Sequence, residues 1–221
     1  MVKKTAIFFI LILMTLFASG CDLIDSIAPT PHPSDYSDRI LFQDDFSYPT
    51  SGWQVWESPE ASIAYEDGKL RFLINQPNYD YWSVAGKRFG DVILAVEAEL
   101  ADGPEINDFG IICRFKDSYN FYAFIISGDG YGGIVKMKEG LFQVLNSNKS
   151  LEYGTMIKEG YTSNQLRADC IGNQLTFYIN QEKFLEVEDN DFLIGDVGLI
   201  VGAYDQPGVD VRFSNFFAIK P

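Results

Sequence analysis

The chain has little histidine and few basic residues for its length. It contains one histidine in 221 residues, and its 17 basic and 31 acidic side chains give a net charge of −14. A single histidine excludes most histidine-based catalysis and most zinc sites. The surplus of acid excludes a nucleic-acid partner, because too few cations are present to neutralise a row of phosphates.

The chain also lacks an apolar run long enough to span a membrane. The run from Ala6 to Ala18 is shorter than the roughly 20 residues that a spanning helix needs. It follows Lys3 and Lys4 and ends in small residues, which predicts a secretory signal peptide over residues 1–20.

The end of this signal carries a first resemblance. Ala18-Ser19-Gly20-Cys21 resembles the lipobox of bacterial lipoproteins, with Ala18 where that family usually has leucine. The resemblance implies cleavage before Cys21 and lipidation of this cysteine. It places the protein on a bacterial cell membrane, facing outside the cytoplasm, with several acyl chains giving a stable anchor. The alternative is an ordinary cleaved signal with an unmodified Cys21.

The rest of the chain divides into a tether and one domain. Residues 21–40 contain Pro29, Pro31 and Pro33 between small or polar residues, which indicates an extended, solvated tether that also holds His32. Residues 41–221 show no internal repeat and no break in composition, so a single domain is predicted. An aromatic fraction of 15% favours sheets.

The pattern of this domain is all-β. Short apolar runs are bounded by Gly, Asn and Asp, which is typical of a sandwich or barrel. Leu94, Val96, Ala98 and Leu100 alternate with Ala95, Glu97 and Glu99, as one buried and one solvated strand face require. Asp67-Gly68 and Gly172-Asn173 predict hairpin turns. The predicted strands include 69–74, 92–100, 109–115, 121–127, 133–137, 165–171, 174–179, 197–203 and 209–219.

Two cysteines fall inside predicted strands. Cys113 follows Ile111, and Cys170 follows Ala168, on apolar strand faces. Outside the cytoplasm two such thiols usually pair, so we expect a disulfide that joins facing sheets. Two buried free thiols are the alternative.

Four segments carry a second resemblance, this one to a fold family. They are DDFSYPTSGW (44–53), DFGIICRFKDSYNFYAFIISGDGYGGIVK (108–136), NQLRADCIGNQLTFYINQEKFLEVED (164–189) and GDVGLIVGAYDQPGVDVRFSNFFAIKP (195–221). Their order resembles the laminin-G-like, concanavalin A-like jelly rolls of bacterial lipoproteins, including keto-disaccharide hydrolase-like domains. The resemblance implies a two-sheet antiparallel β-sandwich over 41–221. It indicates fold better than activity, since this superfamily spans lectins, glucanases and structural modules.

The best-spaced carboxylates for catalysis are Glu97 and Glu99. Because they are two residues apart on a strand, their side chains share one face. The resulting separation of their carboxyl groups suits a glycosidase. The longer acidic signature of the superfamily's glucanases is missing here. The alternative is a solvated sheet face, with a partner such as Arg114 on a neighbouring strand.

A second set of residues combines aromatic rings with polar groups, as sugar sites do. If Ile111, Cys113 and Phe115 face inward, Arg114 faces outward on the sheet that is concave in the superfamily. The alternative is that the aromatic members of the set cover the edges of the core. The candidate ligand-binding residues are Trp82, Arg114, Tyr119, Asn120, Tyr122, Tyr131 and Lys136.

Calcium is the one cofactor that the sequence suggests. Asp44, Asp45 and Asn215 meet if the terminal strands pair, and related jelly rolls sometimes hold a structural Ca²⁺ there. Their oxygens suit a hard cation. The glycines of SGDGYGG (127–133) are better explained by a hairpin turn than by a calcium loop.

The predicted function is a membrane-anchored, extracytoplasmic binding or cell-envelope module whose favoured ligand is a glycan or envelope polymer. The alternatives are a glycoside hydrolase of the keto-disaccharide hydrolase-like or glucanase type, and a structural domain that contacts other proteins. The sequence predicts no particular sugar and no oligomeric state.

Overall fold

The computed structural model describes residues 38–221. The predictions for the signal peptide, Cys21 and His32 lie outside this part of the chain. Across residues 38–221 there is no α-helix, and no helix is long and apolar enough to cross a membrane. Sixteen strands form two antiparallel sheets, so the predicted all-β sandwich is confirmed.

The strands follow the predicted apolar runs closely. Several begin or end at the predicted residue, and hairpin turns occur at 67–68 and 172–173 as expected. The strands are β1 Ile40–Asp44, β2 Trp56–Glu57, β3 Ala61–Glu66, β4 Lys69–Ile74, β5 Tyr79–Phe89, β6 Val92–Asp102, β7 Asn107–Asp117, β8 Asn120–Ile126, β9 Tyr131–Lys138, β10 Leu141–Val144, β11 Glu152–Tyr153, β12 Ser163–Ile171, β13 Gln174–Ile179, β14 Glu182–Glu188, β15 Gly195–Ala203 and β16 Val209–Ile219.

The two sheets stack face to face. The first has the order β14-β13-β12-β6-β16-β4-β3-β2, with β1 also paired to β16. The second has the order β10-β9-β8-β7-β15-β5, with β11 also paired to β9. Strands that are adjacent in a sheet are often distant in sequence; for example, β15 lies between β5 and β7.

The main core lies between the two sheets. The apolar face predicted for β6 is buried, from Leu94 to Leu100, while Glu97 and Glu99 are only half-buried. Phenylalanine rings pack edge to face in this core, within the first sheet (Phe72 against Phe213) and between the two sheets (Phe124 against Phe177). Cys113 of β7 and Cys170 of β12 are fully buried and form the predicted disulfide, which joins the two sheets.

A smaller apolar cluster lies on the outer face of the second sheet. Its buried members are Ile112, Phe121, Ala123, Ile125, Val135 and Ile200, and Trp82, Phe115 and Leu151 pack against them. Leu151 reaches the sheet from the segment after β10, and its Cδ2 would lie 2.7 Å from a Cβ placed on Gly133. These side chains therefore cover the middle of the outer face and leave its ends as the accessible parts.

Candidate functional site

Two aspartates lie side by side on the outer face of the second sheet. In the pairing of β5, β15 and β7, Gly202 of β15 is opposite Asp80 on one side and Asp108 on the other. Residues of these strands alternate between the core and the outer face. Because Val201 and Phe109 belong to the main core, Gly202 and Asp108 face outward.

The absence of a side chain at Gly202 makes room for both carboxylates. A Cβ on this residue would lie 2.2 Å from Asp80 Oδ1 and 2.7 Å from Asp108 Oδ1, far closer than a real contact allows. The two oxygens are therefore within about 5 Å of each other, close enough for like charges to perturb each other's titration.

The electrostatics of the pair are unusual. Asp108 is 7% exposed, and burial, followed by the charge of Asp80, raises the pKa of this carboxyl well above its ordinary value. Burial also raises the pKa of Asp80. Within residues 38–221 neither carboxylate accepts a hydrogen bond or forms an ion pair. Titratable groups perturbed in this way concentrate at functional sites.

Aromatic and hydroxyl groups border the pair. Tyr204 directly follows β15, and burial, then the charges of Asp108 and Asp80, raise the pKa of its hydroxyl, which therefore stays protonated. The β8–β9 turn contributes Ser127, whose Oγ donates to the Asp129 carboxylate. We call the site formed by Asp80, Asp108, Ser127, Asp129, Tyr131, Tyr153 and Tyr204 the acidic end.

Local hydrogen bonds hold the loops of the acidic end in place. The buried Asn107 donates to the Pro104 carbonyl at 2.7 Å and accepts from the Gly128 N–H at 3.1 Å, which ties two loops together. Tyr131 and Tyr153 contact edge to face, with ring centroids 5.7 Å apart. Tyr131 and Tyr153 thus form a fixed pair of exposed rings, the tyrosine wall, at the same end of the sheet as the carboxylates and separated from Asp108 by β8. Such rings suit the apolar faces of sugars.

Comparison with known proteins identifies the fold. No family model and no curated protein matches the chain. A carbohydrate-binding module, CBM66 from Bacillus subtilis, superposes with a TM-score of 0.63 at 16% identity, over 77% of this chain and 96% of that one. A β-glucanase from Bacillus licheniformis gives a TM-score of 0.60 at 11% identity, over 81% and 98%. A Bacillus subtilis protein of unknown function with a galectin-like fold gives 0.59 at 12%, over 83% and 98%.

The chain folds as a concanavalin A-like jelly roll. At these identities the likeness establishes the fold.

Two of the seven predicted ligand-binding residues lie on the outer face of the second sheet of the jelly roll, at or beside the acidic end. Tyr131 belongs to the tyrosine wall and is exposed. Trp82 is two residues from Asp80 on β5 and shares its face, but its ring packs on Phe121 and Phe115 at 5.6 and 6.3 Å. Trp82 therefore lies between the covered middle of the outer face and the acidic end.

Tyr119 and Asn120 lie at the other end of the second sheet. Tyr119 lies in the turn between β7 and β8 and Asn120 begins β8, whereas Tyr131 follows the turn between β8 and β9. The Asn120 amide donates to Asp117 at 2.8 Å and accepts from the Glu139 N–H at 3.2 Å, which closes this turn. The sequence therefore grouped residues that the jelly roll separates.

The expectation that Arg114 faces outward is wrong. A bulge in β7 gives Arg114 a φ of 54° and breaks the alternation, so Phe115 lies on the outer face and the Arg114 side chain is fully buried. Its Nη1 donates to the Phe192 carbonyl at 2.9 Å, and burial lowers the pKa of the guanidinium. Arg114 is also no partner of Glu97, which lies in the other sheet.

Tyr122 and Lys136, two more of the predicted ligand-binding residues, do not lie on the outer face either. Both are buried and face the main core side. The Tyr122 hydroxyl and the Lys136 ammonium both donate to the Asp189 carboxylate, and Lys136 also pairs with Asp191 at 2.6 Å. We call Tyr122, Lys136, Asp189 and Asp191 the lysine cluster, and its second carboxylate is balanced by Lys138, which pairs with Asp191 at 2.7 Å.

The predicted catalytic pair lies on the outer face of the first sheet. Glu99 pairs with Lys69 at 2.6 Å, and Glu97 accepts from Ser214 and Asn215 at 3.3 Å. These are the contacts of a solvated sheet face, which was the alternative to a catalytic role for Glu97 and Glu99. Asp80 and Asp108, the acidic pair that meets without a cation on the second sheet, were not among the residues predicted from sequence.

The three predicted calcium ligands do come together. Asp44, Asp45 and Asn215 line one shallow cavity with Gln43 and Phe217, where β1 meets β16. The Asp44 carboxylate is occupied, however, since it accepts from the Phe46 N–H and from the Trp53 indole, each at 2.8 Å. Among residues 38–221 no group of three acidic, histidine or cysteine side chains is arranged to hold a metal. Calcium here remains a prediction.

Proposed function

We propose that the protein is a lipid-anchored, extracytoplasmic glycan-binding module whose ligand site is the acidic end of the jelly roll. One observation carries the proposal, namely that carboxylates, hydroxyls and exposed tyrosines converge at the accessible end of a sheet face whose middle is filled. The combination of a few polar groups with aromatic surface is typical of carbohydrate sites. The similarity to a carbohydrate-binding module and to a β-glucanase supports the same ligand class.

The glycan-binding site is tested by tyrosine substitution. On an array of oligosaccharides we expect the purified chain to bind, and Tyr131→Ala together with Tyr204→Ala to weaken binding about tenfold or more, since each stacked ring contributes of the order of 1 kcal/mol. Tyr48→Ala is the matched control, because Tyr48 is 74% exposed and belongs to the β1–β2 loop at the edge of the first sheet. Absence of binding to every glycan would contradict the proposal and favour a structural domain.

A hydrolase is the second candidate, and the spacing of Asp80 and Asp108 favours it. Their nearest oxygens lie within about 5 Å, while the two carboxyl groups of a retaining glycosidase are about 5–5.5 Å apart. A hydrolase of the glucanase or keto-disaccharide hydrolase-like type would release new reducing ends from a bound oligosaccharide. Turnover that is lost in Asp108→Asn would replace the binding-module proposal with this one.

The anchoring part of the proposal rests on residues 1–21. The buried disulfide supports export, because such bonds persist in oxidising compartments. We expect cells that express the chain to incorporate radiolabelled palmitate into it, and Cys21→Ala to lose the label and to appear in the soluble fraction. An unlabelled parent chain would show that Cys21 is not lipidated.

A further inference from the structure

The acidic end contains two carboxyl groups that have no partner in the described chain. Asp108 is more than nine-tenths buried, and both of its oxygens point to the space over Gly202, at 2.7 and 2.8 Å from where a Cβ would be. Asp80 points to the same space from the other side. A buried carboxylate normally has a hydrogen-bonding or cationic partner, and among residues 38–221 this pair has neither.

The groups that face the pair from neighbouring elements add no positive charge. Tyr204 follows β15, and Ser127 and Asp129 belong to the β8–β9 turn. They contribute two hydroxyls and a third carboxylate, and the charges of all three aspartates act on the Tyr204 hydroxyl. The site therefore offers hydrogen-bond acceptors and aromatic faces, a combination that attracts a cation.

We infer that Asp80 and Asp108 bind a primary ammonium group carried by the glycan, such as that of an amino sugar whose nitrogen is not acetylated. The inference rests on the proposed glycan-binding function and specifies its ligand class. An ammonium has three N–H donors and no acceptor, so two carboxylates and one hydroxyl can satisfy it completely. The neighbouring tyrosines then pack on the sugar ring that bears the nitrogen.

A single ammonium fits the site better than a divalent metal. Calcium takes six to eight oxygen ligands and magnesium a nearly ideal octahedron. Here only two carboxylates converge, because Asp129 is not arranged with them to hold a metal, and no such group of three occurs within residues 38–221. One positive charge between Asp80 and Asp108 also relieves their mutual repulsion, as Lys136 does for Asp189 and Asp191 in the lysine cluster.

The experiment compares matched glycans that differ only in acetylation. Oligosaccharides of several linkages are prepared with the amino-sugar nitrogen either free or N-acetylated, and their affinities for the full chain are measured by calorimetry at neutral pH. We expect the free-amine member of at least one pair to bind more tightly, and Asp108→Asn to weaken that binding about 10- to 100-fold, as expected for loss of a charged hydrogen bond. Glu186→Gln, which removes one carboxylate from β14 of the first sheet, should change nothing.

Acidification provides a second readout. A primary ammonium stays charged as the pH falls, so weaker binding in acid reports protonation of Asp80 and Asp108. If Asp108→Asn does not fold, as judged by circular dichroism, Asp80→Asn replaces it, because Asp80 is less buried. Both variants should melt at a higher temperature than the parent at neutral pH, since each removes one of two repelling, unpaired carboxylates.

The outcomes separate this inference from the proposed function. Equal affinity for acetylated and free-amine glycans, or a preference that survives in Asp108→Asn, overturns the ammonium site and leaves glycan binding intact. If EDTA abolishes the binding of both the acetylated and the free-amine glycan, a metal ion bridges the glycan to the protein, and the ammonium site is overturned as well. If no glycan of either kind binds, the proposed function fails and the inference fails with it.

Discussion

Removal of the Cys113–Cys170 disulfide is expected to lower the free energy of unfolding by about 4 kcal/mol. In the chain-entropy model a cross-link stabilises the fold by restricting the unfolded chain, and the effect grows with the size of the closed loop. Here the two cysteines are 57 residues apart and belong to β7 and β12, one from each sheet. The bond therefore constrains both halves of the sandwich.

Urea unfolding of the double variant Cys113→Ala/Cys170→Ala, compared with the parent, measures this effect. Part of the loss in unfolding free energy comes from the smaller alanine side chains in the core. The parent is therefore also unfolded in the presence of a reductant, which breaks the disulfide without changing the side chains. The reductant should destabilise the parent and leave the double variant unchanged. A parent that unfolds at the same urea concentration with and without reductant would refute the prediction.

The fold was predictable because its determinants are local. Alternation along β6, from Leu94 to Leu100, appears directly in the sequence, and so do the turn residues at Asp67-Gly68 and Gly172-Asn173. Each of these signals acts over a few residues. The cysteine pairing followed from the same patterns, because Cys113 and Cys170 both lie on apolar strand faces.

The candidate site was not predictable in the same way. Asp80, Asp108 and Gly202 meet only because β15 inserts between β5 and β7, and strand order across a sheet is not encoded in local pattern. A partial signal existed, since Asp80 and Asp108 each occur at the start of a strand rich in aromatic and aliphatic residues. Glu97 and Glu99 were favoured instead because they are close in sequence.

The error at Arg114 has a related cause. Strict alternation places this residue outward, but the bulge in β7 inserts one extra position and reverses the faces from there onward. Phe115 consequently packs beside Trp82. A bulge depends on the pairing partner strands, and here Gly195 of β15 packs directly against the Arg114 backbone.

Substitution of Lys136 by methionine is expected to lower the free energy of unfolding by about 3 kcal/mol at neutral pH, because it leaves the largely buried Asp189 carboxylate without its cation, whereas Asp191 keeps Lys138. Although burial alone would raise it, hydrogen bonds from Lys136 and Tyr122 bring the pKa of Asp189 below its ordinary value. This carboxylate therefore stabilises the parent above the unfolded-state pKa of about 4, and the contribution is lost as the pH falls through the lower folded-state value.

The pH dependence distinguishes a lost charge pair from lost packing. Without Lys136, burial dominates the titration of Asp189, so its folded-state pKa rises and the variant becomes more stable as the pH falls through that value. The stability gap between parent and variant should therefore shrink in acid, and Asp189→Asn added to Lys136→Met should recover part of the loss. A gap that stays constant with pH would instead mean that Lys136 acts through its aliphatic chain. The comparison also bears on the acidic end, since Asp80 and Asp108 lack the internal cation that Lys136 provides for Asp189 and Asp191, and a ligand ammonium would stabilise them by the same interaction.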